Sequence, residues 1–573
     1  MTTSQRRPPL QSRWVLPPAP DAGAVATLTQ QLGLPEPVCR LVAARGYLDP
    51  EAARRFLRPR LDQLHPPETL MDVDRAVERL SSAIQQGELV MVHGDYDVDG
   101  MCSTTIMLKT IRALGGRAEP FIPDRLRDGY DLSDAGVRAA LDLGARVVVT
   151  CDCGTSALEP VRRLQGAGVD VIITDHHLPG GPLPEAFAVI NPKRPGCPSP
   201  DKDLAAVGVA FKLALALTRA LGGNENAVFN LLDLVALATV ADIAPLRGEN
   251  RVMVRFGLRL LSETRKPGLR ALIRAAGLEH KPLTAGRIGY ILAPRLNAVG
   301  RLDRALRGVE LLTTDDESTA NGLARDFEEL NERRRALDHD TLEEVRRRLD
   351  ALDLDATYGI VLAGEGWHPG VIGIVASRVV ELVGRPTILI ALDGAEGKGS
   401  GRSITPFDLH AGIGQCRDLL VRFGGHRAAA GVTIARENVE PFAERFNQVA
   451  CAALTPGDLV PDLRIDLELP FNAATEELES VLRHLQPCGV GNPAPVLVAR
   501  AVRLGAPPRQ VGRDGLKLQL TSDGYTLSAL GWGMVDRKSE LDLSRPVDVA
   551  FRLERDEYRG ESRLQARLVD FRG

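Results

Sequence analysis

Between about residues 85 and 245, short apolar runs alternate with helix-length segments. The runs fall at 89–92, 147–149, 169–173 and 188–190. Nearly continuous Val/Ile runs bounded by turns predict strands buried on both faces, as in a parallel sheet. The intervening segments predict helices over 101–114, stopped by Gly115-Gly116, and over 133–143, stopped by Gly144. This alternation is a βαβ series and predicts a doubly wound α/β domain.

The texture then changes. Residues 250–350 read as mostly helical. Over 323–349 the positions Leu323, Phe327, Leu330, Leu337, Leu342, Val345 and Leu349 keep roughly one face, with dense Arg/Glu elsewhere. That predicts a long connecting helix with a solvated charged side. A second α/β unit follows, with strands near 359–362 and 387–391 and a helix over 371–382. From about 461 the pattern is β, with strands at 463–469, 496–504, 517–520, 526–530, 547–553 and 564–569. Asp514-Gly515, Asp523-Gly524 and Arg559-Gly560 supply hairpin turns. The first 75 residues are rich in Pro and Arg. The expected division is an N-terminal arm or cap (1–75), an α/β domain (76–250), a helical connector (251–350), a smaller α/β domain (351–457) and an all-β barrel or sandwich (458–573).

Composition fits this picture. The 573 residues exceed what one core organises, and 44% hydrophobic with 25% charged residues is an ordinary globular balance. No apolar run approaches the roughly 18–20 residues of a membrane span; the best, 204–217, is broken by Lys212. Arg6, Arg7 and Arg13 stand among prolines with no apolar signal core, so a cytoplasmic protein without a membrane partner is expected. The net charge of −4 neither demands nor excludes nucleic acid, which a local basic groove would have to hold. The eight cysteines form no C-x-x-C pair and read as reduced, mostly buried thiols.

The densest chemistry is Asp95-Tyr96-Asp97-Val98-Asp99-Gly100, directly after the first strand. Three carboxylates at alternate positions need a counter-charge, and a divalent cation is the usual one. A calcium loop would need a glutamate where Ile106 stands, and helices on both sides. Two further strand ends carry similar residues, Cys151-Asp152-Cys153-Gly154 and Thr174-Asp175-His176-His177. The carboxyl ends of parallel strands share one edge, where open α/β sheets bind ligands. Topology therefore gathers Asp95, Asp97, Asp99, Asp152, His176 and His177. Asp242, ending an apolar helix over 231–240, is a further contributor, ahead of Asp233 upstream. Oxygen and imidazole ligands without thiolate suit Mn²⁺ or Mg²⁺.

With GDYDVDG, TCDCG, ITDHH and LATVADIAPL in this order, the chain resembles the DHH phosphoesterase superfamily. AAVGVAFKL, APRLNAVGR, GWHPGVIGIVASR, GSGRS, GGHRAAAG and LQPCGVGNPAP narrow the resemblance to its RecJ branch, the 5′-to-3′ single-strand-specific DNA exonucleases, over about residues 70–573. Departures from the branch pattern fall at Tyr130-Asp131, Ala293 and Arg427, none a proposed ligand. The resemblance implies a DHH-type parallel-sheet domain and a DHHA1-type α/β domain joined by a long helix, then an OB-like barrel that extends the DNA-contact surface. It implies two ions, Mn²⁺ or Mg²⁺, bridged by Asp152. Asp97 would lie on one ion, and Asp99, His176 and Asp242 on the other. Asp95 matches a further acidic position. His93 also fits the His-x-x-x-Asp-x-Asp of small-substrate relatives, so the two compete for one role, with Asp95 favoured. Asp175 would orient an imidazole, and His177 would sit against the scissile phosphate or a metal.

Strand-holding residues are expected elsewhere. Gly397-Lys398-Gly399-Ser400-Gly401-Arg402-Ser403 combines glycine freedom with hydroxyls and a guanidinium, so Ser400 and Arg402 on a glycine-rich turn are candidate phosphate contacts. Arg125, Arg295, Asn297 and Arg301 are further candidates. His426 after Gly424-Gly425 resembles the branch's substrate-side turn, but it also reads as a core histidine. No G-x-x-x-x-G-K-[ST] is present, so ATP-driven translocation is not supported.

The expected activity is hydrolysis of single-stranded DNA from its 5′ end in repair and recombination, with a water nucleophile and no covalent enzyme intermediate. A monomer is expected, with a helicase and a single-strand-binding protein as candidate partners. One rival is a DHH phosphodiesterase for short oligonucleotides or small nucleotides, against which the C-terminal β region speaks. Another is a catalytically silent replication scaffold, against which the filled ligand positions speak.

Overall fold

A computed structural model describes residues 11–125, 127–129, 131–556 and 562–573. The departure at Tyr130, the turn at Arg559-Gly560 and residues 1–10 of the expected arm lie outside the described residues. The chain forms two compact units that do not follow its linear order. One comprises Glu51–Glu332 and His484–Ala494; the other takes the chain up to Pro50, Arg333–Arg483 and Pro495–Gly573. The first 75 residues are thus shared between units, and a piece of the 458–573 region belongs with the first α/β domain.

In the first unit, five parallel strands run in the order Arg117–Phe121, Leu89–Gly94, Val147–Cys151, Asp170–Thr174, Ala188–Ile190. Successive residues of each strand feed opposite faces. Val90, Val92, Val147, Val149 and Ile172 pack beneath the helices Val98–Ala113 and Ala206–Ala220. Met91, Val148, Val171 and Ile173 pack against Asp134–Asp142 and Leu158–Gly166. This is the doubly wound arrangement the apolar runs predicted. The strand they did not predict, Arg117–Phe121, lies at the sheet edge with only Ala118 buried and contains Pro120. An edge strand needs no two-sided apolar run and tolerates proline.

The expected helical connector is not a separate layer up to Glu332. Leu261, Leu272, Leu296, Val309 and Phe327 share one core with the Val98–Ala113 side of the sheet. The helix Glu317–Asp350 continues into the second unit, where Leu342, Val345 and Leu349 pack with Ile372, Val375 and Val379.

The second unit holds a mixed five-stranded sheet in the order Arg422–Gly425, Ala429–Ala435, Glu396–Arg402, Thr387–Asp393, Ile360–Glu365, of which only the last pair is parallel. Its C-terminal strands Leu497–Val511, Gly515–Ser522, Tyr525–Gly531, Val547–Asp556 and Arg563–Arg572 close into a barrel, because the first also pairs with the fourth. Asp523-Gly524 makes the expected tight hairpin. The N-terminal segment is no loose arm here: Arg13–Val15 pairs in parallel with Asp462–Arg464, and Trp14 Nε1 donates to Asp570 at 2.7 Å.

Candidate metal centre and strand-binding residues

The strand Leu89–Gly94 is flanked by Arg117–Phe121 on one side and Val147–Cys151 on the other, so the winding direction reverses beside it. Such a switch point opens a crevice at the strand carboxyl ends. Asp95 leaves the strand Leu89–Gly94, Asp152 the strand Val147–Cys151, and Asp175-His176-His177 the strand Asp170–Thr174. Asp242 caps the C-terminus of the helix Leu232–Ala241.

Their donor atoms converge. Three sets each lie within 4.8 Å of one another: Asp95, Asp97 and Asp152; Asp99, His176 and Asp242; and Asp152, His176 and His177. Asp152 and His176 each belong to two sets, and Asp152 is the only carboxylate that does. His176 Nε2 stands 3.3 Å from Asp152 Oδ1 and 3.6 Å from Asp242 Oδ2. Asp233 is elsewhere, held by Lys266 Nζ at 2.5 Å. His93 is outside these sets; its buried ring lies tilted against Phe121 with centroids 5.2 Å apart, and a Cβ on Gly136 would lie 2.8 Å from it.

Backbone bonds hold the candidate ligands in place. Asp97 caps the helix Val98–Ala113, its Oδ1 accepting the N–H groups of Asp99 (2.8 Å) and Gly100 (3.2 Å). Asp99 accepts the N–H groups of Ala206 (3.0 Å) and Val207 (2.8 Å) at the start of the next long helix. Asp152 sits in the left-handed region at φ 65°, uncommon without glycine, while its N–H donates to the Thr174 carbonyl at 2.9 Å. Asp131 Oδ1 accepts the Gly154 N–H at 2.7 Å and so ties down that turn. Asp175 accepts His177 Nδ1–H at 2.7 Å and the Thr155 N–H at 3.0 Å, and Asn191 Nδ2 donates to the His177 carbonyl at 2.8 Å. Asp175 thus holds the His177 ring in a fixed orientation. Asp131 and Asn191 were not read from the sequence, since isolated polar residues carry no periodic or motif signal.

The electrostatics favour a counter-charge. Burial, then the charge of Asp97, raises Asp99 to about 7, and burial with Asp99 and Asp97 raises Asp242 to about 9. Burial and neighbouring carboxylates also push Asp95 and Asp152 well up. Burial lowers His176 to about 3, so its imidazole is neutral and able to ligate. Burial opposes the charge on His177, but the hydrogen bond and charge of Asp175 win and raise it to about 9. Asp95 Oδ1 and His176 Nε2 are buried without a hydrogen-bond partner. Buried polar atoms left so are costly, and divalent ions on mixed oxygen and imidazole donors would satisfy them.

The expected strand contacts fare unequally. Arg125 lies 4.8 Å above the Tyr96 ring, beside the acidic loop. Asn297 instead accepts the Val98 N–H at 3.3 Å, and a Cβ on Gly300 would fall 2.0 Å from the Tyr96 carbonyl. The helix Ala293–Leu302 thus buttresses the acidic loop, with partly buried Arg301 acting on Tyr96 through its charge. Arg295 is buried, its fork closed on Glu328 at 2.5 and 3.0 Å, so the structure gives it a packing partner where a phosphate contact was expected.

The glycine-rich turn is a strand, Glu396–Arg402. Gly397, Gly399 and Gly401 face the core, where Cβ atoms would come 2.6, 2.5 and 3.0 Å from Ile390, Val432 and Ile388. Ser400 and Arg402 take the opposite face beside the start of the helix Ile372–Val383. Arg402 Nη1 donates to Ser400 Oγ at 3.2 Å, and a Cβ on Gly373 would lie 2.8 Å from that hydroxyl. His426 is exposed in the turn between two strands of this sheet, not a core histidine.

The DHH family N-terminal domain matches residues 89–239, the DHHA1 domain 356–451 and the RecJ OB domain 465–570. The chain is 36% identical over 561 residues to the single-stranded-DNA-specific exonuclease RecJ of Bacillus subtilis, covering 97% of this chain and 70% of that one. A crystal structure of Thermus thermophilus RecJ with Mn²⁺ superposes with a TM-score of 0.85 at 31% identity, covering 98% of this chain and 79% of that one. The corresponding Mg²⁺ complex gives 0.78 at 29% identity, covering 98% and 78%.

Proposed function

Since this chain belongs to the RecJ family of DHH phosphoesterases, we propose that it is a metal-dependent exonuclease that hydrolyses single-stranded DNA from the 5′ end. The observation that carries the reading is the complete ligand set, three overlapping groups of donors at the switch point of a parallel sheet. Asp95, Asp97 and Asp152 would hold one cation, and Asp99, His176 and Asp242 the other, with Asp152 shared. When bound, two Mn²⁺ or Mg²⁺ ions supply Lewis-acid stabilisation of the attacking and leaving oxygens.

The remaining chemistry belongs to the chain. Asp175 holds the His177 ring in place and, in the metal-free protein, raises it to about 9, so this imidazole is suited to offer positive charge to the scissile phosphate. Tyr96 and Arg125 form a rim on which a nucleotide can rest. Ser400 and Arg402 present a hydroxyl and a guanidinium beside a helix N-terminus, an arrangement suited to a terminal phosphate. Two-metal chemistry is nearly symmetric along the backbone, so this pair is the proposed source of polarity. His426 is a proposed contact with the strand. The barrel would bind further nucleotides, as OB folds do.

The protein would work as a monomer in the cytoplasm during DNA repair and recombination. A helicase and a single-strand-binding protein are the partner classes such an activity calls for. Among the described residues, no helix is long and apolar enough to cross a membrane. The test is product analysis with 5′- and 3′-labelled single strands, overhangs and blunt duplex in Mn²⁺. Mononucleotide release from the 5′ label, with blunt duplex cut far more slowly, is expected. Release from the 3′ label first, or equal rates on duplex, would overturn the reading.

A further inference from the structure

Three consecutive buried polar residues, Glu249, Asn250 and Arg251, open the helix Gly248–Ser262. None is a metal ligand, and buried polar groups are costly unless bonded, so their partners reveal what they hold. Asn250 Nδ2 donates to the carbonyls of Asp203 (2.5 Å) and Pro245 (3.1 Å), and its Oδ1 accepts the Ala205 N–H (3.4 Å). Pro245 lies on the loop leaving Asp242. Ala205 directly precedes Ala206 and Val207, whose N–H groups bind Asp99. One amide therefore secures the backbone behind two of the three groups in the Asp99–His176–Asp242 set. None of these bonds leads to Asp95, Asp97 or Asp152.

The flanking residues act on the same elements. Glu249 pairs with Lys212 Nζ at 2.7 Å, on the helix whose first turn holds Asp99. Arg251 donates to the carbonyls of His484 (3.1 Å), Leu485 (3.0 Å), Gln486 (2.9 Å) and Pro487 (3.0 Å), with its guanidinium 4.2 Å from the Phe56 ring. This seats the stretch His484–Ala494, which in turn grips the Asp242 loop. The Leu246 N–H donates to the Val490 carbonyl at 2.7 Å, and Arg247 Nε to the Gly491 carbonyl at 2.6 Å. Gly491 has φ 73°, and a Cβ there would lie 3.0 Å from Pro245.

We propose that Glu249-Asn250-Arg251 is a positioning hub for one metal pocket only. Through the backbone it sets Asp99 and Asp242, so the ion on Asp99, His176 and Asp242 depends on it and the ion on Asp95, Asp97 and Asp152 does not. The proposal rests on the two-ion reading above.

The test is calorimetric titration of Mn²⁺ into the metal-free full-length chain, comparing wild type with Asn250→Ala and Arg251→Lys, the latter keeping the charge but losing the fork. Gly491→Ala is a milder third variant that strains the seated stretch and leaves the triplet intact. Circular dichroism melts identify which variants fold. The expected result is two classes of site in wild type, with one class weakened about 10–100-fold in each folded variant, as for other residues behind metal ligands. The second class should be unchanged, and Asp242→Asn should weaken the same class as Asn250→Ala. Equal weakening of both classes, or of neither, overturns the hub. A wild type with fewer than two sites overturns the two-ion reading and the hub's selectivity with it.

Discussion

The two α/β sheets use their strands in opposite ways. In the parallel sheet the chemistry sits past the strand ends, where Asp95, Asp152 and His176 emerge into turns, and the strands themselves are apolar and buried. In the mixed sheet the candidate phosphate contacts lie along a strand, Ser400 and Arg402 alternating with glycines that face the core. The first design uses a strained turn, Asp152 at φ 65°, to place a proposed ligand. The second spends side-chain volume, leaving three core-facing positions bare so that neighbouring strands can fill them. Strand ends thus tolerate changes of side chain at the level of folding, whereas a functional strand carries packing and recognition together.

Substitutions can break this contrast. Asp152→Ala should cut turnover by at least about 10³-fold, beyond the loss typical of a single charge-stabilising donor, while the melting transition in Mn²⁺-free buffer stays intact. Rates on a labelled single strand together with a melt decide it; a variant that unfolds shows that the strand end also carries the fold. Arg402→Ala should slow cleavage of 5′-phosphorylated strands roughly ten- to 150-fold, the worth of a hydrogen bond to a charged group, and 5′-hydroxyl strands much less. Equal losses on both substrates would make Arg402 a general backbone contact and shift polarity to Arg125.

Gly399→Ala should destabilise the protein by about 1–3 kcal/mol through overpacking, because its Cβ would lie 2.5 Å from Val432. Gly424→Ala, open on all sides in the same sheet, should stay within about 0.5 kcal/mol. Denaturant melts of the pair test whether the glycines of the functional strand are there for packing. The smallest effect is one of pH. In the metal-free protein Asp242 and His177 both titrate at about 9, above their unfolded values, so the folded state binds more protons between about pH 7 and 9. Stability should therefore fall as pH rises through that window. Saturating Mn²⁺ should flatten or reverse the slope, because ion binding favours the deprotonated carboxylate. A metal-free melting temperature that rises from pH 7 to 9 would contradict the buried-carboxylate picture.

The same contrast governs what the sequence discloses. Strands buried on both faces announce themselves as Val/Ile runs, and acids immediately after them are conspicuous; hence Asp95, Asp97, Asp99, Asp152, His176 and Asp242 were all legible and all converge. The strand Glu396–Arg402 has no apolar residue and reads as a turn, because its hydrophobic contribution comes from neighbours filling the glycine positions. The edge strand Arg117–Phe121 lacks a second buried face. Arg295 and Asn297 were legible as a motif, but the motif does not state whether a guanidinium meets Glu328 or a phosphate. The linear domain division missed the stretch His484–Ala494, whose affiliation depends on carbonyls meeting one buried arginine from far away in the chain.

That distant affiliation has a consequence for synthesis on the ribosome. Chains emerge from the N-terminus, and domains tend to fold as they appear, at about 5–20 residues per second. The last of the proposed metal ligands, Asp242, is made long before His484–Ala494, which belongs to the same compact unit. At that rate the delay is roughly 13–50 s. Throughout it the nascent unit has every proposed ligand but lacks the stretch that grips the Asp242 loop, so a chain whose mature form degrades nucleic acid completes its catalytic unit only after His484–Ala494 has been made.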